Sequence, residues 1–340
     1  MIGYYIHHHG AGHLQTARCI AAHVRDGITG LSSLSMPWDW PGEWVQLPRD
    51  DTASHPVQPT AGGSLHWAPL GDAGLRTRMA AIASWISQAA PAVLVADVSV
   101  EVSLLARLMG VPAVTLVLPG RRGDPVHQLG YAVARTLIAP WPAAIPGLAD
   151  GTGPWTRKLR HTGAFSRFDG RPPPPPPARR SSRTVLVLQG RGGTGIDSHD
   201  LHAAARHTPG WAWIALGGTA AWKEDPWADL CHADVVVTHA GLNALAEIAA
   251  ARKPAVVIPQ ARPHGEQTAT ARALASARLA VTVPAWPDAA RWPGLLHAAL
   301  RMGGSRWRSW STGAAAAHAA RLIESAGHRP ARQPSCVPPS

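Results

Sequence analysis

Residues 233–259 carry the strongest chemical pattern in the sequence. An apolar strand pattern leads into Gly241, which allows a tight turn, and a helical pattern follows over 241–252. The first turn of such a helix directs unpaired backbone N–H groups outward, where they bind an anion such as a diphosphate. Glu247 lies one turn beyond Asn243, where its carboxylate could accept hydrogen bonds from the diol of a ribose. Each residue also fits an ordinary strand-helix-strand unit, but the ordered set favours a ligand site.

A second candidate loop spans residues 7–13, with the sequence His-His-His-Gly-Ala-Gly-His, and precedes a helical pattern over 12–25. Gly10 and Gly12 would allow the backbone to approach a ligand closely. A neutral His13 at the start of the helix could take a proton from a hydroxyl nucleophile. A tight turn with a backbone-bonded histidine explains the loop equally well. The consecutive histidines do not indicate a metal site, because successive side chains of a strand point to opposite faces.

Other residues compete for the role of general base. Asp97 and Glu101 both follow the buried strand pattern at 93–96, at its carboxyl end. Capping of the helix predicted over 99–109 is an alternative role for Asp97. His127, on a loop or helix start, is the weakest of these candidates.

Two further groups of polar or glycine-rich residues follow strands of the second half. Glu266 and Gln267 offer acceptor and donor groups suited to sugar hydroxyls, and residues 189–194 form a glycine-rich loop. The sequence contains no Asp-x-Asp pair, which would hold a divalent cation on a diphosphate. We therefore expect no metal, and stabilisation of a leaving phosphate by backbone dipoles instead.

Short apolar runs alternate with helical patterns in both halves, which predicts an α/β protein with parallel sheets covered on both faces. The predicted strands are Ile2–Ile6, Val93–Ala96, Ala113–Leu118, Val185–Leu188, Trp211–Leu216, Asp234–Val237 and Ala255–Ile258. The predicted helices cover 12–25, 73–89, 99–109, 198–206, 241–252, 266–277 and 312–325. Doubly wound sheets of this kind bind ligands beyond the carboxyl ends of their strands.

The 340 residues exceed what one hydrophobic core usually supports, so two domains are expected. We predict a first domain over 1–165, a Pro/Arg-rich linker over 166–183, a second domain over 184–326 and a flexible tail over 327–340. Six consecutive prolines in the linker predict an extended spacer. The Trp- and Pro-rich segment 35–69 predicts irregular surface loops.

Composition restricts the class of protein. Hydrophobic residues make up 46% of the chain, but no apolar run reaches the ~20 residues needed to cross a bilayer. The start of the sequence lacks the features of a signal peptide, so a cytoplasmic location is expected. The linker and tail carry +6 of the formal net charge of +11, and each domain is nearly neutral. Nucleic-acid binding is therefore not expected, whereas peripheral contact of the linker with the inner face of a membrane stays open.

Residues 233–274 resemble the nucleotide-sugar donor domain of the GT-B glycosyltransferases, especially the family 28 C-terminal domain. That group includes the peptidoglycan N-acetylglucosaminyltransferase. The run His-Ala-Gly-Leu-Asn-Ala-Leu-Ala-Glu at 239–247 also resembles the HCGxNSxxE core of plant and macrolide UDP-glycosyltransferases. The loops at 10–13 and 189–194 resemble glycine-rich loops of the same families. Two departures stand out: Ala240 replaces the usual Cys or Ser, and the pair at 266–267 is Glu-Gln.

The resemblance implies a GT-B fold, with two Rossmann-like domains facing each other across a cleft. It implies transfer of a sugar from a nucleotide-sugar, most simply a UDP-sugar, to a hydroxyl of a small-molecule or lipid-linked acceptor, with inversion and without a cofactor. His13 would be the base, with Asp97 as the alternative. The implied donor-binding residues are Gly10, Gly12, Gly190, Arg191, Gly192, His239, Ala240, Gly241, Asn243, Glu247, Glu266 and Gln267.

Three points stay open at this stage. The nucleobase would stack on Trp222 or Trp227, and the spacing fits neither cleanly. A UDP-sugar 2-epimerase would use the same architecture with acid-base groups around the sugar. A non-catalytic nucleotide-sugar-binding subunit is the third reading, although the retained loop residues speak against a degenerate site.

Overall fold

The computed structural model describes residues 1–176, 182–190 and 196–328. Nine strands lie in the first half: β1 (Ile2–Tyr5), β2 (Ile28–Ser32), β3 (Glu43–Gln46), β4 (Val93–Ala96), β5 (Ala113–Leu116), β6 (Gly120–Arg121), β7 (Thr136–Ala139), β8 (Ala149–Asp150) and β9 (Leu159–His161). Seven of them form one parallel sheet in the order β3-β2-β1-β4-β5-β7-β9, and β6 pairs with β8. Strand order reverses at β1 and β4, which is where a doubly wound sheet opens a crevice for a ligand.

The second sheet has five parallel strands in the order β11-β10-β12-β13-β14. Their bounds are β10 (Arg183–Leu188), β11 (Trp211–Leu216), β12 (Val235–Thr238), β13 (Ala255–Val257) and β14 (Val281–Thr282). Residues of β10 and β12 from Val185 to Val187 and from Val235 to Val237 are fully buried, as expected for a parallel sheet covered on both faces.

In the described part of the chain, ten α-helices connect the strands. They are α1 (Ala11–Ala21), α2 (Ala73–Ala89), α3 (Val100–Leu108), α4 (Pro125–Val133), α5 (Ser198–Arg206), α6 (Trp227–His232), α7 (Leu242–Ala251), α8 (Glu266–Ser276), α9 (Trp292–Met302) and α10 (Ala315–Gly327). Side chains of Asp72, Ser99 and Asp124 cap α2, α3 and α4 by accepting a first-turn N–H. By contrast, no side chain caps α1 or α7.

The predicted α/β class and the GT-B arrangement of two Rossmann-like sheets are confirmed. Most predicted strands and helices also agree with the structure within a few residues. The unpredicted elements are strands β2, β3, β6, β7, β8, β9 and β14 and helices α4, α6 and α9. The prediction of irregular loops over 35–69 needs correction, because β3 lies within that segment and pairs with β2.

The last helix changes the division of the chain into domains. Helix α10 packs on helix α1 and on strands β4 and β7, and its buried residues, which include Ala319 and Ile323, belong to the hydrophobic core of the first sheet. The predicted second domain over 184–326 therefore ends before α10. This last helix crosses back and completes the core of the first domain. Apolar spacing shows that a helix is amphipathic but does not show which sheet it covers.

The proline-rich linker is held against the second domain rather than spanning open solvent. The indole Nε1 of Trp227 donates to the carbonyl oxygen of Pro172 at 2.9 Å, and Nε2 of His232 lies 3.0 Å from the carbonyl oxygen of Pro175. The described part of the linker thus docks along α6, which corrects the prediction of a simple spacer. Within the described ranges, no helix is both long enough and apolar enough to span a bilayer.

Candidate active site

A cavity of about 590 Å³ lies between the carboxyl ends of the two sheets. Loops after β1, β4 and β5 form its wall on the first domain, and loops after β10, β11 and β12 form its wall on the second. Eleven of the predicted site residues line it: Gly10, Gly12, His13, Asp97, Gly190, His239, Gly241, Asn243, Glu247, Glu266 and Gln267. Arg191 and Gly192, predicted to bind the donor, lie outside the described residues.

His13 and Asp97 form a hydrogen-bonded pair in the first-domain wall. Nδ1 of His13 lies 3.0 Å from Oδ2 of Asp97, whose side chain is only 2% exposed. An ionised carboxylate accepts hydrogen bonds but cannot donate them, so the ring proton of neutral His13 is held on Nδ1. The lone pair of Nε2 is then available on the other side of the ring. This is the arrangement of an oriented general base.

The protonation of His13 reflects two opposing effects. Burial by itself would lower the pKa of His13, but the adjacent Asp97 carboxylate and the nearby Glu266 carboxylate outweigh it. The pKa of His13 is therefore raised from its usual 6.5, and the ring becomes a stronger base than a free histidine.

The alternatives to His13 are occupied elsewhere. Asp97 is not the helix cap considered from the sequence, because Ser99 caps α3 through Val102. Oε1 of Glu101 accepts the backbone N–H groups of His66 and Trp67 at 2.7 and 3.1 Å, so it fixes a loop instead.

His127 has both ring nitrogens engaged. Nδ1 is 2.6 Å from Asp124 and Nε2 is 3.0 Å from Arg122, and burial lowers its pKa to about 4. Because neither nitrogen is free and the ring does not line the cavity, His127 is excluded as the base.

Two helices begin at the cavity, one from each domain. Helix α1 starts after Gly10, whose φ of 84° favours glycine, and α7 starts after Gly241. No described side chain caps either helix, and neither first turn contains an acidic residue. Both N-termini therefore leave unpaired N–H groups and the positive ends of their dipoles at the same cavity. An anion placed there would accept hydrogen bonds from the first-turn N–H groups of both helices.

Asn243 joins these two helices across the cleft. Its Nδ2 donates to the carbonyl oxygen of Gly12 at 2.9 Å, and Thr16 of α1 donates to its Oδ1 at 3.4 Å. A Cβ atom on Gly12 would lie 3.3 Å from Nδ2 of Asn243, so the absence of a side chain allows this close approach. Asn243 was predicted to bind the donor, and the structure shows that it also joins the two domains.

The neighbouring residues of the second-domain loop differ in their access to the cavity. His239 lines it, with Nδ1 bonded to the carbonyl oxygen of Ile258 at 3.0 Å, and burial lowers its pKa. The prediction for Ala240 needs correction: its side chain is buried and it does not line the cavity. Its N–H donates to Oε1 of Gln267 at 3.2 Å, so this amide is not free for a ligand.

Gln267 is partly a structural residue. Its Oε1 also accepts the N–H of Gln260 at 2.9 Å, so one amide oxygen ties together the loops after β12 and β13. Glu266 faces the cavity near the first domain, with Oε2 3.8 Å from Nη2 of Arg122. Burial raises the pKa of Glu266, and the charges of Arg122 and His13 oppose the rise.

Glu247 contacts a residue that the sequence did not single out. Nε of Arg167 donates to Oε1 of Glu247 at 2.8 Å, and both side chains line the cavity. Burial raises the pKa of Glu247, and the charge of Arg167 and its hydrogen bond counteract this. Arg167 stands in the predicted linker, 80 positions from Glu247, and no local pattern connects the two.

Trp222, Lys223 and Gly190 also line the cavity. Of the two tryptophans considered for base stacking, Trp222 lines the cavity and is about half exposed, whereas Trp227 is buried against Phe168. The structure therefore leaves Trp222 as the candidate.

Among the described residues, two clusters have ligand atoms within 4.8 Å of one another, as a metal site requires: His66 with His127 and His264, and His8 with His9 and Asp51. In each cluster a guanidinium already occupies a ligand atom. Arg122 bonds Nε2 of His127, and Arg49 donates to both oxygens of Asp51 at 2.9 and 2.6 Å. The chemistry of both clusters therefore favours hydrogen bonding over coordination.

Comparison with known proteins agrees with this architecture. Residues 224–289 match the model of the glycosyltransferase family 28 C-terminal domain. A search of curated protein sequences gave no significant match. The glycotransferase of kitacinnamycin is 16% identical, with a TM-score of 0.66 over 96% of this chain and 98% of that chain.

Two further solved structures are similar at the level of the fold. MurG of Acinetobacter baumannii is 14% identical, with a TM-score of 0.61 over 95% of this chain and 99% of that chain. SsfS6, a glycosyltransferase of Streptomyces sp. SF2575 complexed with thymidine diphosphate, is 14% identical, with a TM-score of 0.63 over 95% and 99%.

Proposed function

Because the chain has the GT-B fold and carries a family 28 glycosyltransferase domain over residues 224–289, we propose that it transfers a sugar from a nucleoside-diphosphate sugar to a hydroxyl acceptor. One observation carries the proposal. The His13–Asp97 pair and the uncapped N-termini of α1 and α7 meet in a single interdomain cavity. An oriented base and an anion site are the two parts that displacement of a diphosphate by a hydroxyl requires.

In the proposed reaction, the acceptor oxygen attacks the anomeric carbon of the sugar. Its proton passes to Nε2 of His13, while the bond from the anomeric carbon to the diphosphate oxygen breaks. The nucleoside diphosphate leaves with the electron pair of that bond. Asp97 acts as a positioning residue: it holds the proton on Nδ1 and stabilises the imidazolium that forms. Attack opposite to the leaving group predicts inversion at the anomeric carbon.

The leaving diphosphate would lie at the start of α7, near Gly241 and His239. Backbone N–H groups that are already oriented stabilise developing charge without reorganisation, so we propose that no divalent cation is needed. The structure of SsfS6 with thymidine diphosphate supports a nucleoside diphosphate at this cleft. The carboxylate of Glu266 would accept a hydrogen bond from a hydroxyl of the sugar.

The first-domain wall suggests the character of the acceptor. Leu116, Leu118, Pro140 and Phe165 line the cavity on the same side as His13. An apolar wall favours an acceptor with a hydroxyl on an apolar body, which includes both small molecules and lipid-linked sugars.

The test is a panel of nucleotide-sugars, incubated with and without a mixture of hydroxyl acceptors, with release of nucleoside diphosphate measured. Turnover that survives EDTA, with an inverted anomeric configuration by NMR, is the expected result. An epimerised sugar formed without acceptor would point to a 2-epimerase, and binding without turnover that a partner protein restores would point to a non-catalytic subunit. Absence of both binding and release across the panel would reject the proposal.

A further inference from the structure

Glu266 is the proposed sugar contact on the second domain, and a segment of the first domain lies directly beside it. A Cβ atom on Gly120 of β6 would lie 2.5 Å from the carbonyl oxygen of His264 and 3.0 Å from the backbone nitrogen of Glu266. The φ of Gly120 is 100°, in the left-handed region that favours glycine. Gly120 therefore allows the backbones of the two domains to touch where α8 begins.

Arg122 follows β6 and lies behind the same carboxylate. Its Nη2 is 3.8 Å from Oε2 of Glu266, and its side chain is 7% exposed and does not line the cavity. Nη2 carries two N–H bonds, and one of them reaches the carbonyl oxygen of Pro119 at 2.8 Å, which leaves the second for the carboxylate. Arg122 can thus act on a bound sugar only through Glu266.

The guanidinium of Arg122 is fixed on its other sides. Nε donates to the carbonyl oxygen of Pro119 at 3.1 Å, and Nη1 donates to Nε2 of His127 at 3.0 Å. His127 can accept this bond because its Nδ1 donates to Oδ2 of Asp124 at 2.6 Å, which places the lone pair of the neutral ring on Nε2. Arg122 therefore presents a fixed positive charge to Glu266.

This charge matters because Glu266 is partly removed from water. Burial raises the pKa of Glu266, and the charges of Arg122, His13 and Arg262 oppose the rise, with that of Arg122 the largest of the three. An ionised carboxylate accepts stronger hydrogen bonds from sugar hydroxyls than a protonated carboxyl group does. Loss of the Arg122 charge would therefore weaken the grip of Glu266 on a sugar.

We propose that Arg122 is a positioning residue for the donor sugar: from the first domain it holds the Glu266 carboxylate of the second domain charged and in place, with Gly120 providing the close approach. The inference rests on the proposed function. It makes recognition of the sugar depend on the contact between the domains, whereas the nucleotide is bound by the second domain.

The experiment compares ligands that differ only by the sugar. Dissociation constants are measured by calorimetry for UDP, TDP, UDP-glucose and TDP-glucose, and the constant of each nucleotide-sugar is divided by that of its diphosphate. In Arg122→Gln this ratio should rise about tenfold, because the hydrogen bonds from the sugar to Glu266 lose their charge assistance. The constants for UDP and TDP should stay within about twofold, since a diphosphate without a sugar does not contact Glu266 in the proposed arrangement. A general structural defect would weaken all four ligands and would contradict the proposal.

Two comparisons test whether Arg122 acts through Glu266. Arg121→Met is the matched control, because it removes the same charge from the exposed neighbour of Arg122 on β6, and its ratio should equal that of the unmodified protein. Glu266→Gln removes the carboxylate, so adding Arg122→Gln to it should change the ratio by less than about twofold. A full tenfold rise in the double variant would show that Arg122 acts by another route and would overturn the inference.

Gly120→Ala tests the backbone contact in case Arg122→Gln does not fold. The added Cβ would have to displace the carbonyl oxygen of His264, so the ratio should rise here as well. An unchanged ratio in folded Arg122→Gln or folded Gly120→Ala overturns this inference alone. If neither the diphosphates nor the nucleotide-sugars bind to the unmodified protein, the proposed function and this inference are both overturned.

Discussion

Replacing Asp97 with asparagine should remove most of the activity while leaving the fold in place. The Asp97 side chain is 2% exposed and lies 3.0 Å from Nδ1 of His13, and an amide is nearly the same size and shape as the carboxylate. An amide can donate its N–H to Nδ1, which would transfer the ring proton to Nε2 and block proton uptake there. A positioned base contributes roughly 10²- to 10⁴-fold. We expect kcat/KM to fall by a factor in that range, about 3 to 5 kcal/mol of transition-state stabilisation.

The pH dependence of kcat/KM is a second test of the Asp97→Asn substitution. His13 acts as a base only when it is deprotonated, and its pKa is raised from 6.5 by Asp97 and Glu266. The unmodified enzyme should therefore lose activity as the pH falls through a value above 6.5. In the Asp97→Asn variant burial still lowers the pKa of His13 but the Asp97 charge is gone, so the acid limb of the residual activity should move to lower pH.

Glu101→Gln is the matched control, since Glu101 also follows β4 and anchors the loop at His66 and Trp67 without lining the cavity. It should keep the kcat/KM of the unmodified enzyme and its acid limb, even if its thermal stability falls. An Asp97→Asn variant that retained full kcat/KM and an unshifted acid limb would refute the role of Asp97, and with it the assignment of His13 as an oriented base.

Three further substitutions test other parts of the structure. Glu247→Ala should weaken the binding of a nucleoside diphosphate about tenfold or more, measured by calorimetry, because the pentose would lose its acceptor; unchanged affinity would contradict the pentose assignment. Gln267→Leu should destabilise the protein by about 2 to 4 kcal/mol in denaturant unfolding, because the N–H groups of Ala240 and Gln260 would lose their shared acceptor. Trp227→Phe removes the hydrogen bond to the Pro172 carbonyl and should increase proteolysis of the linker, whereas equal cleavage rates would argue against docking of the prolines.

The local parts of the site could be predicted from the sequence. The strand-turn-helix units at β1–α1 and β12–α7 follow from apolar runs, glycines and helical spacing within about 20 residues. These units placed His13, Gly241 and Glu247 at the carboxyl ends of strands, and the structure has them there. Such features depend on neighbours in the chain, which is what a single sequence records.

Contacts between distant segments could not be predicted. From the sequence, Asp97 and His13 were alternative candidates for the general base. They lie 84 positions apart, and in the structure they are hydrogen-bonded to each other. Arg167 lies in the predicted Pro/Arg-rich linker, although its hydrogen bond to Glu247 places it in the cavity wall. Periodicity reports which face of an element is apolar, but not which partner covers that face or neutralises a charge on it.

The hydrogen bond between Asn243 and Gly12 joins the proposed diphosphate site to the helix that carries the base. Helix α1 carries the base and α7 carries the proposed diphosphate site, and the hydrogen bond from Asn243 to Gly12 joins their first turns at 2.9 Å. Two positive helix ends that approach each other repel unless an anion lies between them. A bound diphosphate would therefore stabilise the close approach of α1 and α7 that the Asn243–Gly12 hydrogen bond already makes, with His13 in the same cavity. On this reasoning donor binding favours the closed cleft, which limits hydrolysis of the donor by water.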